Sequence, residues 1–420
     1  MRSTSSMGHT TAASHSWQPL DVSGLRWADL DLDAKRLTAS SYYAVDVGRD
    51  PQTGRRKLKS KGRFRTRNEA ERALAEVISE VSRGTFAEPT KRTVAEFLRE
   101  WLVGGKSRGL RLSTLVGYEV AIERWLIPRL GSLPLAQLTP GHLNTAYSEL
   151  MESGRVQGEG GLSPRTVRIA HSVIRRALKD GVKWGKLTRN VADAADPPST
   201  ARAKADARKR MRVWTPAQLR RFLRHTKDDR LYALWLLAAS TGMRRGELLG
   251  LRWADLDLDA KRLTITRALI APKYELQFSE PKTDAGRRSI ALDDATVAAL
   301  RAHHRRQLKE RLAFGPGWGE HPLADDLIYR DEAGWPLVPM IVTQRFQTLA
   351  KQAGLPVIRL HDLRHGMATM ALLAGVHPKV VSERLGHSNI AVTLDTYTAV
   401  VPSLQEEAAE CVAALVFGAE

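Results

Sequence analysis

The sequence predicts a multidomain protein of mixed class: a small three-stranded β-sheet with one helix, then an all-α unit, then a larger α+β unit. Three observations lead there. The chain has 420 residues, 43% of them hydrophobic, enough for two or three compact cores rather than one. Near its start the apolar positions alternate with a period of two and then shift to the helical period. Past residue 212 helical and alternating stretches are interspersed, so helices and strands share the last unit.

Residues 1–40 read as a poorly ordered head whose first 17 positions are rich in Ser, Thr and His. Within it GLRWADLDLDAKRLT, residues 24–38, recurs letter for letter at residues 250–264. Such identity exceeds chance, yet two copies do not make a solenoid, which needs several. The second copy leaves a helix and enters a strand, a coherent setting that the first lacks.

Residues 41–88 form the first folded unit. Residues 42–47 alternate as a strand, DPQTG at 50–54 supplies a turn, residues 56–61 make a second strand and residues 63–66 a short third. Asn68 is the expected cap of a helix over 69–82, with Ala73, Leu74, Val77, Ile78 and Val81 on one side. The strands and turn carry Arg49, Arg55, Arg56, Lys57, Lys59, Lys61, Arg63 and Arg65. That density exceeds what solubility asks for. Strand ribbons enter DNA grooves, so DNA binding is preferred to a merely solvated face.

Residues 93–196 read as helices over 93–102, 113–125, 139–151 and 163–179. Ser113 and Ser163 suit N-caps, Pro164 suits a first helical position, and Gly131, Gly154 and the glycines at 158–161 break the runs. The last helix bears Arg165, Arg168, His171, Arg175, Arg176 and Lys179. Its arginines cannot all share one stripe, so part of the set faces DNA phosphates and part faces solvent. Residues 197–212, opening with Pro197-Pro198 and then alternating Ala with Lys and Arg, read as a basic linker. Residues 213–402 are the largest unit. Residues 403–420 close the chain with an amphipathic helix containing Leu404, Cys411, Val412, Leu415 and Val416.

Lys and Arg number 65 against 46 Asp and Glu, a formal charge of +19, which points to a polyanionic partner, nucleic acid above all. No stretch reaches the roughly 20 apolar residues of a membrane span, and no secretory signal is recognisable, so a cytoplasmic place is expected. A lone Cys411 excludes an intrachain disulfide and a thiolate zinc cluster, and among Ala and Val it reads as core filler.

The chemistry-bearing segments lie in the last unit. TGMRRGELLGL from Thr241 follows an apolar helix; Gly242 permits a sharp turn that fixes Arg244, and Glu247 sits where a helix start favours acids. PKTDAGRRSI from Pro281 reads as a β-hairpin turning at Asp284–Gly286, with Lys282 on its flank. HDLRH from His361 opens a helix; His361 and Arg364, three apart, share a side near backbone N–H groups that attract anions. LGHSNI brings His387, and LDTYT brings Tyr397. Taken singly, a hairpin lysine is ordinarily a solvated charge and a helical tyrosine a packing residue. Their order as a set overturns both readings.

In that order the segments resemble the catalytic boxes of the tyrosine recombinases, the phage integrase family. The resemblance implies Arg244, Lys282, His361, Arg364 and His387 as a catalytic pocket and Tyr397 as the nucleophile, with Glu247 at a frequently acidic supporting position. It implies His361 as base and Lys282 as acid, a 3′-phosphotyrosyl intermediate, and no ATP, metal or other cofactor. From about residue 42 onward the small sheet resembles an arm-type DNA-binding domain and the helical unit a core-binding domain, each more loosely than the catalytic boxes. The expected partners are duplex DNA attachment sites, a homotetramer on DNA, a DNA-bending host factor and an excisionase. The terminal helix would dock on a neighbouring subunit or on its own domain. An integrase of a phage or mobile element, acting on the nucleoid of a bacterial host, is the leading reading. A type IB topoisomerase and a regulator with decayed catalysis stand as alternatives.

Overall fold

The computed structural model describes residues 41–49, 56–64, 66–82, 92–105, 107–281, 286–324, 326–397 and, near the end, 409–410, 412–414 and 416–417. The head with its 24–38 copy, Arg55, Arg65, Lys282 and Cys411 lie outside the described residues. Two compact units divide the chain, 1–86 and 87–420.

In the first unit, β1 (Ser41–Arg49) and β2 (Arg56–Phe64) pair antiparallel, and α1 (Arg67–Ser82) packs on them. The expected third strand is not separate among the described residues: Arg63 and Phe64 continue β2 past an irregularity in pairing at Gly62–Arg63, leaving a two-stranded ribbon. Thr66, not Asn68, caps α1, its Oγ1 accepting the Glu69 N–H at 3.2 Å. Phe64 is buried against Ala70 and Val77; because β2 holds one extra residue between Lys61 and Phe64 relative to β1, the pairing brings Lys61 to the Phe64 side, where its Nζ lies 5.5 Å from the ring centroid.

The second unit begins with the helical part. Its helices are α2 (Val94–Val103), α3 (Leu112–Val120), α4 (Ile127–Leu130), α5 (Pro140–Ser153) and α6 (Pro164–Lys183), a wide π turn at Ala121–Leu126 joining α3 to α4. Thr93 and Ser163 cap α2 and α6 with their side chains, whereas α3 starts one residue before Ser113 and lacks a side-chain cap. Phe97, Leu98, Ile122, Leu143 and Ile174 fill the core, and Trp101 donates to Asp180 Oδ2 at 2.6 Å. The segment read as a linker is helical over α7 (Thr200–Arg210). Ala, Arg and Lys are strong helix formers, and Ser199 Oγ accepts the Arg202 N–H at 3.1 Å.

The mixed part contains α8 (Pro216–His225), α9 (Tyr232–Thr241), α10 (Arg245–Gly250), α11 (Asp294–Phe314), α12 (Pro339–Gln352), α13 (Leu360–Leu373), α14 (Pro378–Leu385) and α15 (Ile390–Tyr397). Helix α9 is apolar all round because it is enclosed, and Trp235 on it meets Phe222 and Phe346 in an aromatic cluster with Trp214. The sheets are small. β3 (Leu256–Asp257), β4 (Arg262–Ile265) and β7 (Arg288–Ala291) form one, and β5 (Ala268–Ile270) with β6 (Gln277–Ser279) forms the other. The expected turn of the hairpin, at residues 284–286, lies mostly outside the described residues; β6 before it pairs with β5 and β7 after it pairs with β4. The helical part touches this region, where Lys273 Nζ lies 2.8 Å from Glu119 and Arg111 donates to the Glu280 carbonyl at 3.2 Å. No helix among the described residues is long and apolar enough to cross a membrane.

Candidate active site

The end of α9 sets the first element of the site. Gly242 adopts a left-handed φ of 65° and closes the helix, so that Arg244 falls at the start of α10. Glu247 then accepts the Arg244 N–H at 2.8 Å and its Nη1 at 2.8 Å. Arg288 approaches the same carboxylate from β7, with Nη1 and Nη2 at 3.2 and 3.0 Å. Burial alone would raise the Glu247 pKa, but the Arg288 hydrogen bond and the Arg288 and Arg244 charges outweigh it and hold the carboxyl below its ordinary value.

The end of α14 organises the rest. Helix termini leave their last carbonyls without intrahelical partners, and here three consecutive ones accept from three arginines. Arg288 Nε reaches the Arg384 carbonyl at 2.7 Å, Arg364 Nη2 the Leu385 carbonyl at 2.7 Å, and Arg244 Nη2 the Gly386 carbonyl at 3.2 Å. The partial negative charge of the helix end suits all three. Arg364, buried on α13, also donates to the Gly242 carbonyl at 2.8 Å, linking the two turns.

Two imidazoles border this cluster. His387, half-buried just past the Gly386 turn, has Nδ1 2.8 Å from Thr393 Oγ1. Burial first, then the charges of Arg364, Arg244, Arg288 and His365, push its pKa down to about 4. His361 keeps an exposed edge at the start of α13, but the protein mass around it strips enough solvation to push its pKa down to about 4 as well. His365, Arg364 and Arg359 add to that shift, and the His365 ring stands edge-on to His361 at 5.1 Å. Both histidines are neutral near pH 7.

Of the six residues expected from the sequence, Arg244, Arg364 and His387 thus converge on the α14 terminus, with His361 at the rim beside Arg364. Lys282 lies outside the described residues. Tyr397 is the last residue of α15, and only its backbone is described. Arg288 was not singled out from the sequence, although it shares strand parity with the core residue Ile290, which marks an arginine on the inward face. The α6 arginines divide. Arg165 is exposed, Arg168 donates to the Pro198 carbonyl at 2.7 Å, and Arg175 pairs with Asp193 at 2.6 Å. The last two brace the segment after α6. For Arg56, Lys57, Lys59 and Arg63 only the backbone of β2 is described.

Comparison with known proteins places this architecture. The chain is similar in fold to the integrase of transposon Tn1549, solved with a circular intermediate DNA. The TM-score is 0.61 at 22% identity, over 75% of this chain and 99% of that one. Residues 212–403 match the Phage integrase family, residues 93–151 the N-terminal SAM-like domain of phage integrases, and residues 40–81 an Arm DNA-binding domain. A XerC-like tyrosine recombinase of Caldanaerobacter subterraneus subsp. tengcongensis is 26% identical over 88% of this chain and 95% of its own. An integrase of Streptomyces ambofaciens is 27% identical over 89% of this chain and 91% of its own. The fold is thus one shared with DNA integrases. Residues 212–403 belong to the phage integrase family, that of the tyrosine recombinases.

Proposed function

We propose that this protein is a site-specific DNA integrase that cuts and rejoins duplex DNA through Tyr397 and inserts the DNA of a phage or other mobile element into a bacterial chromosome. The observation that carries this reading is the convergence of Arg244, Arg364 and His387 on one helix terminus. Attack on a phosphodiester builds extra negative charge on the non-bridging oxygens, and guanidinium forks held in advance stabilise it. With Thr393 donating to Nδ1, the His387 Nε2–H becomes a further donor.

The tyrosine oxygen attacks phosphorus, the bond to the 5′ oxygen breaks, and Lys282 gives that oxygen a proton while His361 takes the phenol proton. The phosphotyrosyl ester conserves the bond energy, so a second 5′ hydroxyl reverses the step. A His361 pKa of about 4 is low for a base; an entering phosphate adds negative charge beside Arg364 and Arg359 and raises it.

The run of basic residues along β2, Arg56, Lys57, Lys59, Lys61 and Arg63, favours groove contact by the arm ribbon, and exposed Arg165 favours phosphate contact by α6. The protein works as a tetramer on paired attachment sites in the cytoplasm, assisted by a DNA-bending host factor and an excisionase. Residues 409–417, where described, are helical with Val412, Val416 and Phe417 exposed, which favours docking on a neighbouring subunit. The test is covalent trapping on a nicked suicide substrate: wild type forms a protease-sensitive DNA adduct and Tyr397→Phe does not. An adduct that survives the substitution would refute the assignment.

A further inference from the structure

Arg288 has a side chain only 7% exposed, and the proposed chemistry gives it no task. Yet it ties two distant segments to its own. Its Nη1 and Nη2 hold the Glu247 carboxylate, its Nε holds the Arg384 carbonyl, and its Nη1 also lies 3.3 Å from the Gly286 carbonyl. Those contacts lie beside Arg244 at the start of α10, before His387 at the end of α14, and after the segment that carries Lys282. Strand β7, paired to β4 with Arg288 opposite Ile265, anchors the side chain on a rigid element.

We propose that Arg288 is a positioning residue: by fixing Glu247 and the carbonyl end of α14 relative to each other, it aims the Arg244 guanidinium at the scissile phosphate. This rests on the proposed assignment of Arg244 to the phosphate. Glu247 is shared between two guanidinium groups and is itself buried. Without Arg288 the Glu247 carboxylate is left to Arg244 and draws that group into a closed pair, away from the Gly386 carbonyl and from the DNA. One buried charge of each sign, held at several points, thus leaves the second arginine only partly neutralised and free to turn one edge to an anion.

The experiment compares first-strand cleavage by the full chain on two suicide substrates, one with an ordinary scissile phosphate and one with a scissile methylphosphonate. The methylphosphonate lacks the anionic oxygen that the clamp serves, so a defect in aiming Arg244 shrinks on it, whereas a folding defect does not. At saturating DNA, Arg288→Met is expected to slow phosphate cleavage about 100-fold and methylphosphonate cleavage less than about 10-fold. DNA affinity should stay within about threefold of wild type. Arg288→Lys keeps the charge but not the fork, and should recover about tenfold of the phosphate rate. Wild-type cleavage by Arg288→Met, or equal losses on both substrates by Arg288→Lys, would overturn the proposal while leaving the assignment of Tyr397 intact. A Tyr397→Phe adduct on the phosphate substrate would overturn both.

Discussion

Replacing Gly242 by alanine tests the link between backbone geometry and the pocket. The residue sits at φ 65°, ψ 24°, and an L side chain there costs about 1–2 kcal/mol. An added Cβ would lie 2.4 Å from Met367 Cε and 2.9 Å from Leu385 Cδ2, both ends of side chains buried in a packed cluster. Making room for one methyl in such a core costs about 1–3 kcal/mol. The sum is a loss of about 2–5 kcal/mol. The turn also carries one carbonyl that holds Arg364, and Leu385 carries the other, so cleavage should fall by about tenfold or more as those acceptors shift. Urea unfolding followed by tryptophan fluorescence reads the first effect as a lower midpoint at unchanged slope, since Trp214 and Trp235 lie in the core of the same part. Suicide-substrate cleavage reads the second. A loss below about 0.5 kcal/mol together with wild-type cleavage would show that the turn relaxes freely and does not fix Arg364.

Arg364→Ala should reduce cleavage by about 10³-fold while sparing most DNA affinity; the buried Gly242 and Leu385 carbonyls lose a donor, so stability should fall by about 1–3 kcal/mol. Parallel loss of affinity and cleavage would mean the arginine merely binds. Acid should destabilise the fold through His361 and His387, whose pKa is lowered from the ordinary 6.5 to about 4. The unfolded chain takes up those protons first, so stability is full above about pH 6.5 and declines as pH falls toward 4; urea midpoints of wild type and a His361→Asn/His387→Asn variant should converge at low pH. Arg165→Ala should lower the slope of log affinity against log salt by about one, and Arg175→Ala by less, because Asp193 already holds Arg175. Equal slopes for the two variants would contradict the division of labour on α6.

Much of this was legible in the sequence where a local rule governs. Ser163 marks a helix start because its hydroxyl satisfies a backbone donor three residues on, though Ser113 does not, and the boxes around Arg244 and Arg364 announce themselves by residue type and order. Errors arose where a local sign competed with distant pairing. Gly62 read as a strand break, yet β2 runs through it because β1 supplies partners on either side. The partners of β6 and β7 were likewise not legible, since β5 and β4 belong to two different sheets. Basic composition masked the helix propensity of residues 200–210. The three carbonyls at the end of α14 were illegible, since their donors come from residues 244, 288 and 364 and only the fold brings these together.

That helix end has a chemical consequence of its own. Main-chain oxygens do not titrate, so Arg244, Arg288 and Arg364 keep these three tethers over the whole acidity range in which the fold survives. The His361 and His387 imidazoles, held neutral by a pKa lowered to about 4, take up protons only as the pH falls toward that value. The three tethers therefore carry no acid sensitivity of their own, whereas the two imidazoles beside them do.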